Sequence, residues 1–311
     1  AASADRAAYV AWAARRPAVV ALSGAAGEGA RVLDGSAAEP YPADALATPK
    51  LVSFRAADGT VVQGQLFQRD DGPAAKPGMI FVHGGPPRQM LLGWHYMGYY
   101  SNAYATNQYL AAHGFVVLSV NYRLGIGYGR AFQQPDHAGY AGASEYQDVV
   151  AGARFLQGVT GVDPKRIGIW GGSYGGYLTG LALARNSELF KAGVDLHGVH
   201  DWSADLNDWV GPAQKRYEQG DRAEAMRVAF QSSPDADVKT WRSPVLLIQG
   251  DDDRNVHFSE TVDLTRRLDA QGVRHEELVI PNEIHGFLRY ASWLAADRAT
   301  VAFLTRELGA R

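Results

Sequence analysis

The stretch Ile167-Gly168-Ile169-Trp170-Gly171-Gly172-Ser173-Tyr174-Gly175 decides the reading of this chain. An apolar run of strand character, Ile167 to Trp170, enters a turn of glycines around one serine, and residues Tyr177 to Arg185 follow with helical character. A strand that feeds a helix through so tight a turn lifts the serine hydroxyl above the sheet edge. Flanking glycines tolerate the strained backbone and the close helix approach that such a turn needs. Ser173 is therefore expected to be a nucleophile. A serine hydroxyl reacts poorly near neutral pH, so it requires a histidine base, and the histidine requires a carboxylate to fix its tautomer and stabilise the imidazolium.

On this kind of scaffold the acid and then the histidine follow the serine, each on a loop after a strand. The apolar run Val245-Leu246-Leu247-Ile248 leads into Gln249-Gly250-Asp251-Asp252-Asp253-Arg254-Asn255-Val256. Further on, Glu277-Leu278-Val279-Ile280 leads into Pro281-Asn282-Glu283-Ile284-His285-Gly286-Phe287. Of the nine histidines, His285 alone follows a late strand ahead of the terminal helix expected over Trp293 to Leu308. His275 falls in or beside that strand, and His257 follows the acidic loop too closely to have reached another one. Chemistry alone leaves the acid open among Asp251, Asp252 and Asp253. Glu283 sits so near His285 in sequence that it is expected to point elsewhere. The developing oxyanion needs preorganised N–H donors. One is the backbone of Tyr174, directly after the serine. The other is expected from His83-Gly84-Gly85-Pro86, a loop after the strand Met79-Ile80-Phe81-Val82, with Gly85 first and Gly84 as its alternative.

Around these motifs strands alternate with helices. Strands are expected at Leu51 to Phe54, Val61 to Phe67, Met79 to Val82, Phe115 to Val120, Ile167 to Trp170, Ala192 to Leu196, Val245 to Ile248 and Glu276 to Ile280. The first two are joined through Ala57-Asp58-Gly59-Thr60 as a hairpin. Over Glu145 to Val159, residues Val149, Ala153, Leu156 and Val159 share a face at helical spacing. The expected architecture is an α/β class fold, a mostly parallel central sheet with helices on both faces and an antiparallel N-terminal edge. Proline- and alanine-rich residues between Pro40 and Pro49 mark a junction, dividing the chain into an N-terminal segment, 1–45, and a catalytic domain, 46–311.

The chain resembles the prolyl oligopeptidase family of serine peptidases, in the branch of dipeptidyl peptidases and acylaminoacyl peptidases. The resemblance is carried by His83-Gly84-Gly85-Pro86, Asn121-Tyr122-Arg123 running into Gly127-Tyr128-Gly129, and Glu145-Tyr146-Gln147-Asp148. It continues through Gly171-Gly172-Ser173-Tyr174-Gly175-Gly176, Gly250 to Val256 and His285-Gly286. It implies an α/β-hydrolase fold and places the acid on Asp253, which precedes the Asn-Val ending of its loop. It also implies an apolar pocket for the residue before the cut bond, walled by Tyr174, Val199, Trp202 and Val256, with Trp209 as a further wall. The chain departs from the family pattern where Leu124-Gly125-Ile126 occupies a segment that commonly reads Gly-Ser-x. The family also carries a large N-terminal β-propeller. Only the short alternating runs at Ala8 to Trp12 and Ala18 to Leu22 resemble the end of one, so the chain is read as the catalytic portion of a longer or processed protein.

With 311 residues, 46% of them apolar, the chain can bury a large core. A net charge of −3 without a basic run excludes a nucleic-acid footprint. No apolar stretch reaches membrane-spanning length. The absence of cysteine removes thiol nucleophiles, disulfides and cysteine-based zinc sites, but leaves the compartment open between cytoplasm and export. The spacing of Gly125, Gly127 and Gly129 matches neither a dinucleotide fingerprint nor a P-loop, and no cofactor or metal is expected. The aromatics Trp94, Tyr96, Tyr99, Tyr100 and Tyr104 read either as core packing or as a rim facing the substrate. The expected function is hydrolysis of peptide bonds in short peptides through an acyl-enzyme. The alternative is a carboxylesterase using the same three residues on short acyl esters. A partner chain is compatible with the reading, because an uncovered catalytic domain would expose apolar surface.

Overall fold

The computed structural model describes residues 6–24, 31–33, 42–71, 75–204 and 222–309. Two sheets are present among them. The first is antiparallel and three-stranded, from β1 (Ala8–Ala13), β2 (Arg16–Leu22) and β3 (Arg31–Val32). The second has eight strands: β4 (Lys50–Arg55), β5 (Val61–Phe67), β6 (Lys76–Val82), β7 (Val116–Asn121), β8 (Val162–Gly172), β9 (Phe190–Leu196), β10 (Val245–Gly250) and β11 (His275–Ile280). The helices are α1 (Gly98–Ala112), α2 (Arg130–Gln133), α3 (Tyr146–Gln157), α4 (Tyr174–Arg185), α5 (Arg222–Gln231), α6 (Phe258–Gln271) and α7 (Tyr290–Leu308).

The large sheet runs in the order β11-β10-β9-β8-β6-β7-β5-β4. Pairing is parallel from β11 through β7, whereas β5 and β4 are antiparallel and close one edge. Strands in the parallel centre are covered on both faces, which is why they read as continuous apolar runs: every residue of β6, β7 and β10 is buried. Side chains alternate between the faces. Ile80 and Val82 join the core beneath α3, α4 and α6, with Leu156, Leu181 and Leu264. Met79 and Phe81 join the core beneath α1 and α7, with Leu110, Phe303 and Leu304. The result is the expected three-layer α/β-hydrolase arrangement. No described helix is long and apolar enough to cross a membrane.

Several boundaries differ from expectation, and two of them flank the serine turn. Strand β8 begins at Val162 rather than Ile167, because Val162 and Asp163 pair with Lys76 and Pro77 before the register shifts. Helix α4 starts at Tyr174, not Tyr177. Gly175 and Gly176 are poor helix formers, but every residue from Tyr174 to Ala184 is buried, so packing overrides propensity.

The Asn121-Tyr122-Arg123 and Glu145-Tyr146-Gln147-Asp148 motifs meet in space. The Arg123 guanidinium donates to Asp148 at 2.6 and 2.9 Å and to Asp58 at 2.6 Å, and the Arg123 backbone N–H donates to Asp148 at 2.8 Å. This ties the end of β7 to α3 and to the β4–β5 turn. Both Asp148 and Arg123 are buried, so Asp148→Ala would leave a desolvated cation with only the partly exposed Asp58 to pair it. It should lower unfolding stability by about 3 kcal/mol in denaturant titrations.

The β1–β2 turn docks on α1: the Ala14 carbonyl accepts from Tyr104 Oη at 2.7 Å, and Trp12 lies 6.5 Å from Tyr96. Of the aromatic run, Trp94, Tyr100 and Tyr104 are core residues, Tyr96 is exposed, and Tyr99 reaches the site.

Candidate active site

Ser173 stands between β8 and α4 with φ 60° and ψ −123°, a conformation an L-residue rarely adopts. The crowding around it explains the glycines. A Cβ on Gly171 or Gly175 would lie 2.4 or 2.2 Å from the Val82 carbonyl oxygen of the adjoining strand. The sharp turn places Ser173 at the carboxyl edge of the sheet, beyond β8, while β10 and β11 deliver the other two side chains to the same edge.

Ser173 Oγ lies 2.9 Å from His285 Nε2, and His285 Nδ1 lies 2.7 Å from Asp253 Oδ2. The other carboxylate oxygen of Asp253 accepts the backbone N–H groups of Asn255 at 2.8 Å and Val256 at 3.1 Å. Burial raises the cost of charge on Asp253, but the hydrogen bond and charge of His285, with the two amides, outweigh it and hold the carboxyl below its usual pKa.

The neighbouring acids face elsewhere. Asp251 accepts the Asn282 N–H at 2.6 Å, and exposed Asp252 pairs with Arg254 at 3.1 Å. Glu283 is buried beneath α7, accepting Leu288 N–H at 2.7 Å, Arg289 Nε at 2.9 Å and Ser292 Oγ at 2.6 Å. Those donors overcome the burial penalty and lower its pKa to about 2. Glu283 thus fastens the loop that carries His285. His275 opens β11, at the opposite edge of the sheet from the serine, and His257 immediately precedes α6.

Tyr174 is the first residue of α4, so its N–H has no partner within the helix and is free to face an anion. Gly85, at φ 118°, lines the same cavity as Ser173. Gly84 lies behind the serine, where a Cβ would stand 2.7 Å from the Gly172 carbonyl oxygen and 3.1 Å from Ser173 Cβ. Behind this loop the buried His83 ring stacks on Tyr122 at 4.3 Å, and its Nδ1 lies 3.0 Å from the Gly84 carbonyl oxygen. Burial lowers the His83 pKa from 6.5 to about 4. Imidazole is charged when protonated, so below pH 6.5 the unfolded chain takes up this proton before the folded one. The stability supplied by the neutral ring is complete above pH 6.5 and is lost as pH falls through about 4, a loss of up to about 3 kcal/mol. The difference in unfolding free energy between wild type and His83→Phe, which keeps a ring and cannot titrate, should move against the wild type by that amount between pH 7 and 4 in denaturant titrations.

A cavity of about 370 Å³ opens beside Ser173, lined by Gly85, Pro86, Leu124, Ala138, Gly139, Tyr140, Tyr174, Val199 and Trp202. Tyr174, Val199 and Trp202 are the expected walls. Val256, the fourth, is fully buried in the core cluster that also holds these three, and its N–H serves Asp253 while its carbonyl accepts Gln249 Nε2 at 2.8 Å. Trp209 lies outside the described residues.

Sequence reasoning missed Leu124 and Tyr140 as parts of this pocket, and Glu145 as the buried group behind its wall. Tyr174 Oη donates to buried Glu145 at 2.6 Å, and Glu145 also accepts the Gly139 N–H at 3.0 Å, which fixes the loop forming the far wall. Burial raises the Glu145 pKa, with those two hydrogen bonds opposing it. Leu124 carries a positive φ of 79° where the sequence had already departed from the family pattern.

Comparison with known proteins bears on the family and the fold. Residues 101–311 match the prolyl oligopeptidase family. The dipeptidyl aminopeptidase BIII of Pseudoxanthomonas mexicana is 32% identical over 253 residues, covering 78% of this chain and 35% of that protein. The human prolyl endopeptidase FAP is 31% identical, over 68% of this chain and 26% of its own length. The chain thus spans about a third or less of these curated relatives. A puromycin-hydrolyzing peptidase of Mycobacterium tuberculosis superposes over 100% of this chain and 47% of its own with a TM-score of 0.84 at 23% identity, a likeness of fold. On the family match and the relatives together, the chain belongs to the prolyl oligopeptidase family.

Proposed function

We propose that the protein is a serine peptidase that hydrolyses peptide bonds of short peptides through an acyl-enzyme. The observation that carries this reading is the unbroken line Ser173–His285–Asp253, at 2.9 and 2.7 Å, beside an apolar cavity. In this mechanism Ser173 Oγ attacks the scissile carbonyl as His285 Nε2 takes its proton, and Asp253 stabilises the imidazolium. The backbone N–H groups of Tyr174 and Gly85 receive the oxyanion. His285 then protonates the leaving amine, and water repeats the sequence on the ester to release the acid and restore Ser173.

Tyr140, Tyr174 and Trp202 form aromatic walls that favour a flat or apolar residue, such as proline, before the cut bond. Residues 46–311 constitute the catalytic domain in this reading. Residues 1–45 form an appended segment, consistent with the separate sheet of β1, β2 and β3. The peptidase relatives support an amide substrate over an ester.

Turnover of a matched set of chromogenic X-Pro, X-Ala and acylated aminoacyl amides against short-chain acyl esters tests the reading. Amide cleavage is the predicted result. Fast ester cleavage with no amide cleavage would transfer the assignment to a carboxylesterase.

A further inference from the structure

The His285 imidazole packs against a second histidine that the reaction itself does not require. His197 follows β9, its N–H donates to the Ile248 carbonyl at 2.8 Å, and its ring centroid lies 4.3 Å from that of His285 at 45°. A ring nitrogen of His197, one of His285 and a carboxylate oxygen of Asp253 lie within 4.8 Å of one another. His197 is 1% exposed and adopts φ 41°, in the left-handed region that L-residues rarely occupy. Its Nε2 lies 2.8 Å from Tyr99 Oη, and its buried Nδ1 has no hydrogen-bond partner among the described residues. Because buried N–H groups are seldom left unpaired, the favoured tautomer has Nε2–H donating to Tyr99 and a bare lone pair on Nδ1.

Tyr99 is itself braced. Its ring meets Trp293 of α7 edge-on at 5.1 Å, Trp293 donates from Nε1 to the Phe287 carbonyl at 2.8 Å, and the Phe287 ring meets His197 at 5.6 Å. A closed circuit of rings therefore runs from α1 through α7 to the loop that carries His285.

We propose that Tyr99 and His197 are positioning residues for the general base: they fix the plane of the His285 ring and lay a neutral π face against the imidazolium formed when Ser173 gives up its proton. This rests on the Ser173–His285–Asp253 reading above. Burial, and next the charge of His285, keep His197 neutral, whereas a protonated neighbour would oppose the imidazolium. A cation against an aromatic ring is attracted to it, here by about tenfold in rate, and the gain arises only once the charge forms.

The test is steady-state kinetics on an aminoacyl amide with His197→Ala, His197→Phe, Tyr99→Phe and the Tyr99→Phe/His197→Phe pair. His197→Ala should lower kcat about tenfold or more with KM within about twofold, because the contact matters in the transition state and not in substrate binding. His197→Phe, which restores the ring, should recover most of that loss. Tyr99→Phe should lower kcat a few-fold, and the paired variant should be no worse than the poorer single one, because both act through one hydrogen bond.

A loss that appears in KM, full activity in His197→Ala, or additive effects in the paired variant would overturn the proposal. If His197→Ala fails to fold, Tyr99→Phe and the low-field proton resonance of the His285–Asp253 hydrogen bond decide. An unchanged resonance with unchanged kcat refutes it, and a displaced resonance with lower kcat supports it. Activity retained in Ser173→Ala would instead bring down the underlying mechanism, so the two failures are distinguishable.

Discussion

Ser173→Ala is expected to lower turnover of an aminoacyl amide by roughly four orders of magnitude or more, with the fold intact. The substitution removes one oxygen, whose partner is His285 Nε2 at 2.9 Å. The strained backbone at Ser173 is held by its surroundings. Its N–H donates to the Leu196 carbonyl at 2.9 Å, and its carbonyl accepts the Tyr177 N–H at 3.0 Å. Alanine keeps both bonds, so circular dichroism and the unfolding midpoint should stay close to wild type while kcat collapses. The residual rate would measure what the Tyr174 and Gly85 donors contribute without a nucleophile. Wild-type turnover in Ser173→Ala would contradict the mechanism.

Asp253→Asn should cost about 10⁴-fold in kcat with little change in KM, and the reason lies in which oxygen does what. Asp253 Oδ1 is committed to two backbone donors, Asn255 and Val256. In the variant the amide carbonyl must occupy that position, which turns the NH₂ group toward His285. The imidazole can then meet it only with a bare Nδ1, so its proton moves to Nε2, where the proton of Ser173 has to be accepted. The shape of the site is unchanged and the base is in the wrong tautomer. Kinetics beside a structure of the variant would check both halves. Activity within tenfold of wild type would show that His285 does not depend on Asp253.

The parts of the molecule legible in the sequence are those fixed by local pattern or by strict chain order. The central strands are recognisable because both faces are buried, so β6, β7 and β10 carry no polar alternation to confuse them. The turn at Ser173 is legible because its backbone admits only glycine at Gly171 and Gly175. The same logic reaches the His83-Gly84-Gly85-Pro86 loop. The choice among Asp251, Asp252 and Asp253 was not available to chemistry alone. Three adjacent carboxylates differ only in which one the loop turns inward, and that is set by the Asn255 and Val256 amides.

What the sequence could not reveal are contacts between residues far apart along it. Glu145 meets Tyr174 across 29 positions, and Tyr99 meets His197 across 98. Neither pairing has a period or a spacing that would announce it.

The central claim is that Ser173 is activated by His285 and Asp253 to form a covalent acyl-enzyme. The most direct measurement is peptide mapping by mass spectrometry after exposure of the protein to a serine-directed organophosphonate. The account predicts one adduct, on Ser173, formed quickly in wild type, orders of magnitude more slowly in Asp253→Asn, and absent from Ser173→Ala. A protein that stays unlabelled, or carries its adduct on another serine, would contradict it.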